Sequence, residues 1–266
     1  MSNGTIKKIA VNTGGGDAPG LNAVIKAVTM SAVQRGWEVY GIRDGYNGVF
    51  LPAHYPNNDG VIRLTPEIVK DITSMGGTIL GTTNRGNPLR FPMKTANGTV
   101  VEVDRSDEIV EGLKRHDIDA VIAIGGDGSL TMANEFHKKG VKIIGVPKTI
   151  DNDIGFIEKT FGFETAFTHA VSSIRTAHVE AKGYQNGVGL VKLMGRQSGY
   201  ITANASIASQ DVNFCLIPEM PFDLEGENGF YKHLMDRILR KNHAVVVVAE
   251  GVGDRLCALE ERDVSG

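Results

Sequence analysis

Short runs of β-branched and aliphatic residues alternate along the chain with segments whose apolar positions recur every three or four residues. The runs at 8–11 (KIAV), 38–42, 120–124 (AVIAI), 141–146, 188–193, 214–217 (FCLI) and 244–248 (AVVVV) predict strands. Several are almost continuously apolar, the pattern of parallel strands covered on both faces. Leu21, Val24, Ile25, Val28 and Ala32 mark one helical stripe, and Phe167, Ala170, Val171, Ile174 and Ala177 mark another. Ser106, followed by Asp107 and Glu108, predicts a helix N-cap with acids in the first turn. Repeated strand–helix–strand units imply an α/β fold with a doubly wound, mostly parallel sheet. Residues 51–102 are richer in Pro, Gly, Asn and Thr and read as excursions around one helix at 66–74. A slight change of composition between Ile154 and Glu164 divides the chain into 1–160 and 161–266.

Composition narrows the class. The 266 residues are 41% hydrophobic and 22% charged, which suits a globular protein with a sizeable core. A net charge of −3 argues against a nucleic-acid binder, and no window reaches the apolar length of a membrane span. No apolar stretch follows the basic residues of MSNGTIKK, so no secretory signal is expected. Two cysteines without CxxC spacing exclude a disulfide framework and point to a reducing, cytoplasmic compartment. The seven histidines show no metal-ligand spacing. Glycine is the outlier: 33 residues, well above the roughly 7% of ordinary proteins, gathered where strands end. Those ends are where doubly wound sheets bind ligands.

TGGGDAPG (13–20) follows the first strand and feeds a helix. Such a loop offers backbone N–H groups and a positive dipole end to phosphate, or is merely a tight strand–helix turn. Leu21 and Asn22 stand where a Walker loop has Lys and Ser/Thr, and Pro19 spoils a dinucleotide fingerprint, although Asp44 could serve a ribose. IGGDGSL (124–130) places Asp127 inside a second glycine turn. Beside a polyphosphate that carboxylate calls for Mg²⁺; otherwise Asp127 or Ser129 caps the next helix.

GVPKTIDNDI (145–154) puts Asp151 and Asp153 two residues apart with Lys148 close by. Their repulsion calls for a cation, for Lys148, or for an Asx-turn network that aims them apart. KLMGRQSG (192–199) adds Arg196, a permanently charged fork suited to phosphate, and Glu250 follows the run at 244–248. Phosphate cradles, Mg²⁺, a cation for the moving group and a carboxylate for the acceptor proton are the parts of phosphoryl transfer. A glycosidase would use the carboxylates but not the glycine cradles. These residues favour a kinase acting on a hydroxylated small molecule.

GGDAPGLN (15–22), GGDGS (125–129), PKTIDND (147–153), MGRQSG (194–199) and AEG (249–251) closely resemble the phosphofructokinase family in order and spacing. The resemblance implies two Rossmann-like domains, with nucleotide and Mg²⁺ bound in the first and the sugar phosphate in the second. It implies transfer of phosphate to the 1-hydroxyl of fructose 6-phosphate, by Asp151 as general base and Arg196 as stabiliser of transferred charge. Gly15, Arg85, Gly126, Asp127, Gly128, Ser129 and Lys148 would lie at the donor. Thr149, Ile150, Asp151, Met194, Gly195, Arg196 and Glu250 would contact the sugar phosphate, with Asp127 and Asp153 serving the metal. A homo-oligomer, dimer or tetramer, is implied as well.

The family's donor is ATP or pyrophosphate. Pyrophosphate users typically carry Asp at the position of Gly128 and Lys at that of Lys148. Glycine leaves room for a nucleotide's α-phosphate, so the pair Gly128 and Lys148 resembles the branch of ATP users with PKTIDND. Two departures matter. The chain ends sixteen residues past Glu250, at Gly266, where family members continue through further strands and helices; the resemblance therefore implies a truncated second domain. Gly187 also stands in the region where many bacterial members carry an arginine that reaches a neighbouring subunit. The rival readings are a pyrophosphate-dependent enzyme, a non-catalytic binder of nucleotide or sugar phosphate, and a kinase for NAD or a lipid that shares only the GGDG loop.

Overall fold

The structure, a computed structural model, describes residues 6–83, 85–95 and 97–256. The chain forms two compact units, the first running to Thr149 and the second beginning at Ile150.

The first unit contains β1 (Lys8–Thr13), α1 (Leu21–Gln34), β2 (Glu38–Ile42), α2 (Asn47–Phe50), β3 (Val61–Leu64) and α3 (Pro66–Val69). It continues through β4 (Phe91–Lys94), β5 (Val100–Val103), α4 (Ser106–Arg115), β6 (Ala120–Gly125), α5 (Asp127–Lys138) and β7 (Ile143–Thr149). Its strands lie in the order β3-β2-β1-β6-β7, parallel except that β3 runs antiparallel to β2. The β4–β5 pair is a separate antiparallel ribbon. Ala10 and Val121 are buried in a cluster with Tyr46, Phe50, Ile109, Leu113 and Phe136, and the Tyr46 and Phe136 rings meet edge to face at 4.8 Å. Burial pushes the Tyr46 phenol well above its ordinary pKa. α1 packs on β1 and β2 and buries Leu21, Ile25 and Ala32. Each large aliphatic side chain withdrawn from water in this way contributes about 1.5–3 kcal/mol.

From β1 the chain moves to β2 on one side, then returns to β6 on the other. The strand order therefore reverses between β1 and β6, and a crevice opens at their carboxyl ends. Both glycine loops emerge there.

The second unit contains β8 (Phe161–Gly162), α6 (Phe163–Gly183), β9 (Gly187–Leu193), α7 (Tyr200–Ser209), β10 (Phe214–Leu216), α8 (Phe230–Lys241), β11 (His243–Ala249) and α9 (Glu250–Leu256). Three strands pair in parallel in the order β10-β11-β9. Ala170 and Ile174 of α6 and Ala205 of α7 close a core over Val245 and Val247 of β11.

The predicted strands are present with ends shifted by a few residues at most, and both helical stripes fall on α1 and α6. Elsewhere the structure corrects the sequence reading. The helix expected at 66–74 stops at Val69, because Asn22 Nδ2 donates to the Met75 carbonyl and Asn22 Oδ1 accepts from the Ile79 N–H, drawing that segment into a loop. Ser106 is the first residue of α4 rather than its cap. The Asp104 carboxylate accepts from both the N–H and the hydroxyl of Ser106, and the hydroxyl bond foremost holds its pKa below the usual carboxylate range. β9 is covered on one face only, leaving Val188 44% and Leu190 68% exposed on the other. No helix among the described residues is long and apolar enough to cross a membrane.

Candidate functional site

The first glycine loop is held from three sides within the first unit. Gly14 N–H donates to the Ile124 carbonyl at 2.9 Å, tying the end of β1 to that of β6. Gly15 N–H donates to the Thr83 carbonyl at 3.1 Å, and the Thr82 hydroxyl donates to the Gly15 carbonyl at 2.5 Å. Lys148, buried at the end of β7, donates from Nζ to the Gly16 carbonyl. The carbonyl oxygens of Gly15 and Gly16 are thus engaged inside the protein, which lowers the repulsion an anion approaching the loop would meet. The N–H groups of Gly14 and Gly15 are engaged as well. The free amides of a phosphate cradle are better supplied by the second loop.

That second loop opens α5. Gly126 is its extended N-cap, and Asp127, Gly128 and Ser129 form its first turn, whose N–H groups have no helical partner by construction. Ser129 nests against the strand ends: a side chain at Gly125 would lie 2.3 Å from Ser129 Cβ, and one at Gly14 only 2.6 Å from its Oγ. Two of these glycines are therefore demanded by close approach. At Gly128 the case is different, since a Cβ there meets nothing within 4 Å. Asp127 is exposed at the positive end of a twelve-residue helix.

Residues 80–83 and Arg85 adjoin the first glycine loop, through the bonds of Thr82 and Thr83 to Gly15. Thr13 Oγ1 donates to the Gly81 carbonyl at 2.6 Å, and Arg85 N–H donates to Thr83 Oγ1 at 3.1 Å, leaving the Arg85 side chain exposed. From the sequence Thr13 and Thr82 carry no assigned role, and Asn22 stands out only as a departure from a Walker loop. Their signal lay in the run of threonines and in an asparagine just inside a helix start. The Asp44 carboxylate accepts the Tyr55 hydroxyl at 2.7 Å; burial and then that bond raise the tyrosine's pKa.

The second unit holds Ile150, Asp151, Asp153, Met194, Gly195, Arg196 and Glu250, while Thr149 closes β7 of the first. Asn152, at φ 56°, is the turn residue between the two aspartates. Its Oδ1 accepts from the Thr160 N–H at 2.8 Å and the Thr160 hydroxyl at 3.2 Å, and its Nδ2 donates to the Glu158 carbonyl at 3.2 Å. These bonds reach six and eight residues along the chain, so Asn152 ties the stretch to residues 158–160 rather than forming a local Asx-turn. Gly251 N–H donates to the Gly195 carbonyl at 3.1 Å, and a Cβ at Gly251 would sit 1.6 Å from the Arg196 carbonyl. AEG and MGR are thus one packed unit, possible only with glycine at 251. Gly199 N–H donates to Glu219 Oε1 at 2.7 Å, a carboxylate the sequence reading passed over. Arg196 and Met194 are exposed and Glu250 is half-buried.

Among the described residues no cluster of three or more His, Cys, Asp or Glu side chains is arranged to hold a metal ion. Mg²⁺ does not require one, since it binds through one or two carboxylates, water and substrate phosphates, and the exposed Asp127 fits that donor set.

A doubly wound α/β unit with a glycine-flanked acid on a helix N-terminus at its switch point is the architecture in which nucleotides and phosphates are commonly bound. The sequence model for "Phosphofructokinase" matches residues 8–263, and the chain belongs to that family. It is 43% identical to an ATP-dependent 6-phosphofructokinase of Borreliella burgdorferi over 93% of its own length and 54% of that protein's. It is also 43% identical to ATP-dependent 6-phosphofructokinase 2 of Clostridium perfringens, over 92% of the chain and 64% of that protein. The fold superposes on a crystal structure of Pichia pastoris phosphofructokinase in the T-state with a TM-score of 0.76 and 28% identity, covering 94% of this chain and 26% of that one. The chain thus spans between half and two thirds of the length of these curated relatives.

Proposed function

We propose that the chain is an ATP-dependent 6-phosphofructokinase that transfers the γ-phosphoryl group of ATP to the 1-hydroxyl of fructose 6-phosphate. The first unit serves the donor: Gly126, Asp127, Gly128 and Ser129 at the N-terminal turn of α5, with Gly15, Arg85 and Lys148 around it. The second unit serves the acceptor through Ile150, Met194, Gly195, Arg196 and Glu250, with Thr149 adjoining. Asp151 takes the proton of the sugar hydroxyl as its oxygen bonds to the γ-phosphorus and ADP leaves. Arg196 offsets the charge on the moving group. Asp127 and Asp153 are the ligands proposed for Mg²⁺, which, when bound, neutralises charge on the donor phosphates.

The observation that carries the choice of ATP is the open space at Gly128. Lys148 agrees with it: its ammonium is turned onto the Gly16 carbonyl, so a lysine here is compatible with nucleotide use. A homo-oligomer in the cytoplasm completes the proposal. The oligomer is supported by the exposed Val188 and Leu190 of β9. Turnover of fructose 6-phosphate with MgATP, followed through ADP release, is the test. Turnover with pyrophosphate and none with ATP overturns the donor. Binding of both substrates without turnover by either donor makes the chain a non-catalytic binder.

A further inference from the structure

Ser198 of MGRQSG has no task in the proposed function. Ser198 is 3% exposed; its hydroxyl donates to the main-chain carbonyl of Asp151 at 2.8 Å, and the Tyr200 N–H donates to its Oγ at 3.3 Å. We propose that Ser198 is a positioning residue that sets the orientation of Asp151 relative to the Arg196 loop. The inference rests on the phosphofructokinase reading of Asp151 and Arg196 and deepens it.

The bonded carbonyl belongs to the peptide joining Asp151 to Asn152. Downstream of it the chain is already fixed, because Asn152 grips Thr160 and the Glu158 carbonyl. The ψ angle of Asp151 is therefore the rotation that the Ser198 hydroxyl restrains, and it sets the direction of the Cα–Cβ bond from which the carboxylate extends. Ser198 is itself anchored two residues beyond Arg196, in a loop that Gly251 and Glu219 hold through Gly195 and Gly199. One buried hydroxyl thus links the acid proposed as base and the cation proposed for the moving phosphoryl group. Both lie in the second unit. Rate is sensitive to such links, since a reacting group displaced by about 1 Å can lose about a hundredfold.

Ser198 also precedes α7, and a role confined to capping that helix would cost stability without touching the chemical step. Steady-state kinetics with MgATP and fructose 6-phosphate separate the two. Ser198→Ala is expected to lower kcat about tenfold, the scale of one well-placed hydrogen bond, with both KM values within about twofold of the parent. Ser198→Cys, which keeps a weaker donor of similar size, is expected to recover part of the loss. A parent-like kcat in Ser198→Ala, or a rise in KM alone, overturns the inference. Should the alanine variant fail to fold, Ser198→Cys decides by the same comparison. Asp151→Asn turning over at the parent rate overturns the assignment of the base, and this inference with it. An inactive Asp151→Asn beside a parent-like Ser198→Ala overturns this inference alone.

Discussion

Position 128 separates stability from function at a single residue. It lies in the first turn of α5, where the helix dipole favours a negative charge and a Cβ meets nothing within 4 Å. Gly128→Asp should therefore leave the melting temperature unchanged or raise it, by the fraction of a kcal/mol such charges contribute, about 0.3–1. The same carboxylate would crowd and repel a nucleotide phosphate, so kcat/KM for MgATP should fall at least about tenfold. Calorimetry and donor kinetics on one variant check both halves, and undiminished ATP use would remove the argument from space. Lys148 teaches the complementary lesson. Its type and position were legible, but its partner, the Gly16 carbonyl, lies 132 residues away in the chain and no local pattern announces it.

At the scale of elements, β1 and β6 carry the switch point, and a surface acid registers their starts. Asp119 Oδ2 accepts the N–H of Lys7 at 2.8 Å and of Lys8 at 2.9 Å. Those bonds, Lys7 first, favour its charged form and hold its pKa below the ordinary carboxylate value. A group whose folded pKa is depressed stabilises the protein above its unfolded pKa and loses that contribution as pH falls through the folded one. Asp119→Ala should thus melt below the parent at about pH 7, with the gap closing as pH drops below about 4. Thermal melts across that range check it, and a gap that persists undiminished at about pH 2 would refute the linkage. The same scale shows where sequence reading reached and where it stopped. Strands such as AVIAI and AVVVV were legible because burial on both faces leaves a continuous apolar run. β3 and the β4–β5 ribbon were not, since half-exposed strands such as VIRL and FPMK carry no such run. The helix at 66–74 was over-read because Asn22, a distant side chain, claims the backbone beyond it.

At the scale of the molecule, the β9 face bearing Val188 and Leu190 is the test of the homo-oligomer proposed above, since an outer strand with bare apolar side chains is a surface that another chain can cover. Leu190→Lys should then shift the mass measured by light scattering toward that of a single chain, and an unchanged oligomer would remove this face from the interface. The chain by itself determined its α/β class and the position of the glycine loops at the strand ends, because strand burial and glycine placement are local constraints written in residue type. The fold alone decided that Thr82 and Lys148 hold the first glycine loop's carbonyls, that α5 presents its open first turn at the switch point, and that Ser198 reaches Asp151. The physical reason is range. Hydrogen bonds between residues tens of positions apart depend on how strands are ordered and how closely loops approach, and hydrophobic periodicity carries no record of either.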